Sequence, residues 1–218
     1  MLRFSEEVLL LALDEKTGRL HPLPERAIEF ALAGAVLAEL AAARRITTDA
    51  TRLTVQDFSA TGDAILNLAL SFLPKDEPTM TLQKALARFA LQAEKLKPLL
   101  YADLVKKGIL QQQDKKFLWV LRERRYPVID DREEREARTR IRDIVLNPAA
   151  LPGPKDIVLI GLMDACDLDG FIFSPEELER SAERIKQICS LNSIVAALSR
   201  AIGEMQQAIL DVIAYSGM

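Results

Sequence analysis

Between Lys95 and Tyr126 the chain sets nine Lys/Arg against three Asp/Glu, a local charge of +6 inside a protein of formal net charge −3. That asymmetry is the chemistry of anion recognition: one face meets a negatively charged partner while the remainder stays acidic. The pattern is specific. Lys106-Lys107-Gly108-Ile109-Leu110 ends a helix at a glycine. Lys115-Lys116 and Arg122-Glu123-Arg124-Arg125 then bracket the apolar run Phe117-Leu118-Trp119-Val120-Leu121. Catalytic chemistry has little to stand on. His21 is the single histidine, in a loop beside Pro22, so no site built on two histidines is available. GxSxG, Walker A and GxGxxG patterns are absent. Asp164, Asp167 and Asp169 with Gly170 have a calcium-loop look, but the twelfth position holds Pro175 in place of the bidentate Glu. No catalytic residue, cofactor or metal site is therefore assigned.

Three readings of the basic hairpin follow from its residues. It is a plain sheet element with solvated arginines, or the wing of a winged-helix-like nucleic-acid-binding module touching phosphate. In the third, it is a membrane element whose apolar tip enters the interface. Each basic residue near an anionic bilayer contributes about 1 kcal/mol, and buried apolar area adds roughly 25 cal/mol per Å². Lys115, Lys116, Arg122, Arg124 and Arg125 would suffice for reversible adsorption. The sequence pI of about 5.4 argues against the nucleic-acid reading.

The elements that must position these residues read mainly as helices. With 218 residues, 49% hydrophobic and 28% charged, the composition suits one globular domain over residues 1–218. Helices are predicted from Ser5, as N-cap, to Leu13 and from Pro24 to Arg45, the latter amphipathic with one buried stripe of Ile28, Leu32, Ala35, Val36 and Leu40 at three-to-four spacing. A strand pair is expected over Ile46–Val55, helices over Ala64–Leu73 and Leu82–Leu96, and a break at Pro98 before Leu99–Lys107 with Gly108 at C′. The hairpin is expected over Ile109–Leu121, then a charged helix over Asp131–Leu146 and a nearly all-apolar helix over Lys155–Cys166. Ser174-Pro175-Glu176-Glu177 is a capping box that starts another helix, and residues from Leu191 onward are helical again. The fold class is mainly α, a compact helical domain with a small β-hairpin. Cys166 and Cys189 read as buried thiols, with cytoplasm as the default compartment. No segment reaches the roughly 20 apolar residues of a membrane span.

The order of motifs resembles the Golgi phosphoprotein 3 family. The similar pieces are Glu6-Glu7-Val8-Leu9-Leu10-Leu11-Ala12-Leu13 with its polar turn, Ala33-Gly34-Ala35-Val36-Leu37-Ala38-Glu39-Leu40-Ala41, Thr61-Gly62-Asp63, Leu104-Val105-Lys106-Lys107-Gly108-Ile109-Leu110, and the hairpin followed by Tyr126-Pro127. The resemblance implies a non-enzymatic peripheral membrane protein, cytoplasmic and membrane-associated. It implies binding of phosphatidylinositol 4-phosphate in a basic pocket beside the hairpin, engagement of cytosolic tails of membrane proteins, and a homo-oligomer or membrane contact made through the hairpin. Carried onto this sequence, the family's pocket tryptophan and arginine fall on Pro24 and Ala33, and its basic pair on Glu94 and Lys97. Lys97, with Lys95 and Arg26 nearby, would then supply the lipid-binding charge. Lys115, Lys116, Phe117, Leu118, Trp119, Arg124 and Arg125 would form the membrane or oligomer hairpin. The start directly at the domain, without a long polar leader, is the expectation for a prokaryotic or divergent member.

Overall fold

Helix α2 (Ala27–Ala42) is apolar nearly all round, in place of the single buried stripe expected, and a helix of that kind must be covered on most sides. It is covered by α1 (Phe4–Leu11), α3 (Ala64–Leu70), α4 (Leu82–Lys106), α6 (Pro154–Ala165) and α8 (Ser193–Ser216), all of which touch it. The computed structural model describes residues 2–49, 51–117 and 121–216. Helices α5 (Arg132–Leu146) and α7 (Pro175–Ser190) complete the α-helical set among the described residues. A hydrophobic cluster runs without a break from Leu2 through Leu9, Phe30, Leu53, Phe89 and Leu159 to Ile202. Each such fully buried large side chain contributes on the order of 1.5–3 kcal/mol. The mainly helical class expected from composition is the class observed.

A three-stranded antiparallel sheet, β1 (Ile46–Thr48), β2 (Arg52–Val55) and β3 (Thr79–Thr81), leans on α2 and α4. Ile46 lies opposite Val55 and Leu53 opposite Met80, and all four are buried. The third strand lies between the helices expected over Ala64–Leu73 and Leu82–Leu96, where no element is predicted. Its three residues, the last of them the N-cap of α4, carry too little periodicity to reveal it.

Two further expectations are corrected. Pro98 does not interrupt its helix: α4 runs 25 residues straight through it. The proline ring is exposed while Leu96, Leu100 and Leu104 on the opposite side are buried, so packing on both flanks outweighs one lost backbone bond. Ser5 is not the N-cap of α1. It lies inside the first turn, fully buried, and its backbone N–H and hydroxyl both donate to Glu39 Oε1 at 2.8 Å. A carboxylate on α2 thus satisfies one of the free N–H groups at the start of α1. Burial pushes the Glu39 carboxyl up from its ordinary value, and the bonds from Ser5 and the nearby Arg3 only partly offset this.

The charged helix α5 buries a narrow stripe of Ala137, Ile141, Ile144 and Val145. Arg142 leaves that helix to donate to both carboxylate oxygens of Glu177, at 2.9 and 2.6 Å, in the capping box of α7. That guanidinium holds the Glu177 carboxyl at about 2. A depressed carboxyl contributes stability above its ordinary value, and the contribution is lost as pH falls toward the folded value. Carbon-13 NMR titration is therefore expected to place the Glu177 midpoint near 2, and Arg142→Gln to return it toward 4.5. An unshifted midpoint in the variant would refute the pairing.

Candidate functional site

Helix α4 ends as its sequence dictates, with Gly108 at φ +72 and the Ile109 N–H returning to the Leu104 carbonyl at 3.0 Å. The chain then enters strands β4 (Gln113–Phe117) and β5 (Leu121–Arg125). The hairpin thus begins four residues later than expected, because Ile109 and Leu110 belong to its root. Both are buried; Leu110 forms a bridge with Val128, and the Ile129 N–H donates to the Ile109 carbonyl at 2.9 Å. The register sets Asp114 opposite Arg124, Lys115 opposite Glu123 and Lys116 opposite Arg122. Leu118 and Trp119 at the expected tip lie outside the described residues, as do the side chains of Lys115, Lys116 and Phe117.

The root is clamped from two sides. Tyr126 stacks on Tyr101 of α4 with ring centroids 3.9 Å apart and planes within 9°. Burial, with Tyr126 alongside, pushes the Tyr101 phenol up to about 12. From the other side, the polar turn after α1 supplies the Gly18 carbonyl to the Tyr126 N–H at 3.0 Å and the Glu15 carbonyl to the Val128 N–H at 3.2 Å. Sequence reasoning missed this clamp, because nothing local to residues 14–18 points to residues 126–128.

The cations of this region have separate fates. Lys106 is exposed, whereas Lys107 reaches back to α1 and donates to both oxygens of the fully buried Glu6 at 2.5 Å. Lys97, 12% exposed, lies 2.7 Å from Glu29 on α2 and 2.6 Å from Glu94. Burial would lower its pKa, but the bonds to those two carboxylates outweigh it and leave the ammonium raised. Arg26, at the N-cap of α2, sets its guanidinium 5.7 Å from the Phe30 ring centroid. Lys97 is therefore held by two carboxylates at the α2–α4 junction, while Arg26 meets the Phe30 ring at the start of α2. Lys95 does not join them: two residues from Lys97 on an α-helix is about 200° around the axis. It lines a different groove, with Arg88 and Gln92. Ala33 is fully buried and Pro24 is exposed. His21 stacks on Phe171 at 4.3 Å.

The order of these parts along the chain is diagnostic. A family model described as Golgi phosphoprotein 3 (GPP34) matches residues 4–205. The chain belongs to the Golgi phosphoprotein 3 family. Among curated proteins it is similar to the vacuolar protein sorting-associated protein 74 of Eremothecium gossypii, with 35% identity over 136 residues. The match covers 53% of this chain and 41% of that protein, so the chain spans less than half the length of this relative. Among the described residues of this Golgi phosphoprotein 3 family member, no helix is long and apolar enough to cross a membrane.

Proposed function

We propose that this chain is a non-enzymatic peripheral membrane adaptor of the trafficking type, acting at the cytoplasmic side of a membrane by binding acidic phospholipid headgroups. The observation that carries the reading is the coincidence, in a Golgi phosphoprotein 3 family member, of a +6 segment with the family's hairpin. Lys115, Lys116, Arg124 and Arg125 supply the charge, and Phe117, Leu118 and Trp119 the apolar contact. The name of the relative from Eremothecium gossypii, a vacuolar protein sorting-associated protein, supports the sorting role. Because Lys97 is already held by Glu29 and Glu94, Arg26 and Lys97 favour a general preference for anionic lipid over a stereospecific phosphatidylinositol 4-phosphate pocket. Lys95 falls outside this junction. Cytosolic tails of membrane proteins and a second copy of the chain, met through the hairpin, are the partners of this reading.

Co-sedimentation with vesicles tests it. Recovery is expected on phosphatidylserine-containing vesicles and not on neutral phosphatidylcholine. At about 1 kcal/mol per basic residue, replacing Lys115, Lys116, Arg124 and Arg125 together by Glu is expected to abolish binding while leaving the circular dichroism spectrum unchanged. Equal recovery on neutral and acidic vesicles would refute the proposal.

A further inference from the structure

On the flank of α4 away from Lys97, the end of α3 and the turn after it enclose a groove of about 410 Å³. Leu68, Phe72 and Pro74 form its apolar floor, and Arg88, Gln92 and Lys95 line its α4 side. Phe72 packs edge-on against the buried Phe89 at 5.4 Å. Among the described residues, no carboxylate lines the groove. Arg88 and Lys95 make no hydrogen bond or ion pair with any described residue, whereas Lys84 and Lys97 on the same helix are both paired with carboxylates. Leu91, 65% exposed, stands on the helix between Arg88 and Lys95. Positions 88, 91, 92 and 95 share one helical stripe, and Arg88 and Lys95 are about 10.5 Å apart along the axis.

We propose that this groove docks a short acidic and apolar peptide segment of a partner protein. Two carboxylates would meet Arg88 and Lys95, with large apolar side chains between them on Leu91 and the Phe72 floor. Carboxylates three residues apart on a polyproline-II chain lie on one face and are separated by about 9 Å, close to the cation spacing. A hollow of this size suits a peptide; a bilayer is flat on this scale and meets protrusions. The proposal is independent of the hairpin reading, since it uses none of those residues.

Fluorescence anisotropy with the full chain tests it, using a labelled peptide with a Glu-Leu-Leu-Glu core and its Gln-Leu-Leu-Gln counterpart as probes. Saturable binding of the acidic probe is expected, weaker by about tenfold or more for the amide probe and for the chain carrying Arg88→Glu and Lys95→Glu. A Lys-Leu-Leu-Lys probe is expected to bind that double variant and not the parent. Equal binding of acidic and amide probes would overturn the proposal. So would a double variant that loses only vesicle co-sedimentation, which makes the groove a membrane contact, or only self-association in sedimentation, which makes it a contact between copies. Both substituted side chains lie at the surface, and an unchanged melting curve shows that the fold is kept.

Discussion

Gly18→Ala is expected to cost about 3 kcal/mol or more of unfolding free energy in urea titration and to release the root of the hairpin. Gly18 has φ +64, a left-handed conformation that costs an alanine about 1 kcal/mol. Steric overlap costs more: a Cβ there would lie 2.2 Å from the Pro127 nitrogen and 2.3 Å from the Tyr126 carbonyl carbon. These are backbone atoms with no rotamer to retreat into, so the segment after β5 must move. Moving it breaks the hydrogen bond from Tyr126 to the Gly18 carbonyl and disturbs the stack on Tyr101. Gly108→Ala is the internal control. It has φ +72 but open space where a Cβ would go, so only the conformational penalty of about 1 kcal/mol applies. If the two alanine variants prove equally stable, the clamp on the hairpin root is refuted. If Gly18→Ala is the weaker one, it should also show faster proteolysis near residues 113–125.

The second large effect is expected at Lys107. Its ammonium is bonded to both oxygens of Glu6, which is 0% exposed. Lys107→Met removes the partner and strands a buried carboxylate. That would cost about 3–5 kcal/mol for a fully enclosed pair; water reaching the partly open lysine side, and the Arg3 N–H that still donates to Glu6 at 3.1 Å, reduce it to about 2–3 kcal/mol. The neighbouring Lys106→Met is expected to lie within about 0.5 kcal/mol of the parent, because that exposed side chain makes no hydrogen bond or ion pair with a described residue. Urea titration of the pair decides it: equal stabilities would mean that the Lys107–Glu6 contact contributes nothing to the fold. The contrast also bears on function, since one of two adjacent cations that look identical in sequence is committed to the protein's own core.

The parts of this protein legible in its sequence are those with a local physical cause. The capping box at Ser174, the glycine C′ at Gly108 and the alanine- and leucine-rich run of α2 each encode their element within a few residues, and each element is there. The motif order that places the chain in its family is also a property of sequence, because it needs no coordinates to be read. What required the tertiary structure is every pairing between distant residues. Glu29 meets Lys97 across 68 positions, Glu6 meets Lys107 across 101, and Gly18 meets Tyr126 and Pro127 on the other side of a hairpin. Charge counting treats Lys95, Lys97, Lys106 and Lys107 as one positive run. The helical turn of about 100° per residue and the carboxylates brought in by α1 and α2 divide them into two committed and two open. Sequence alone determined that the protein is helical, where its cations concentrate and which family it joins. Only the fold decided which of those cations remain available to a partner, because neutralisation depends on distance in space, and distance along the chain does not determine it.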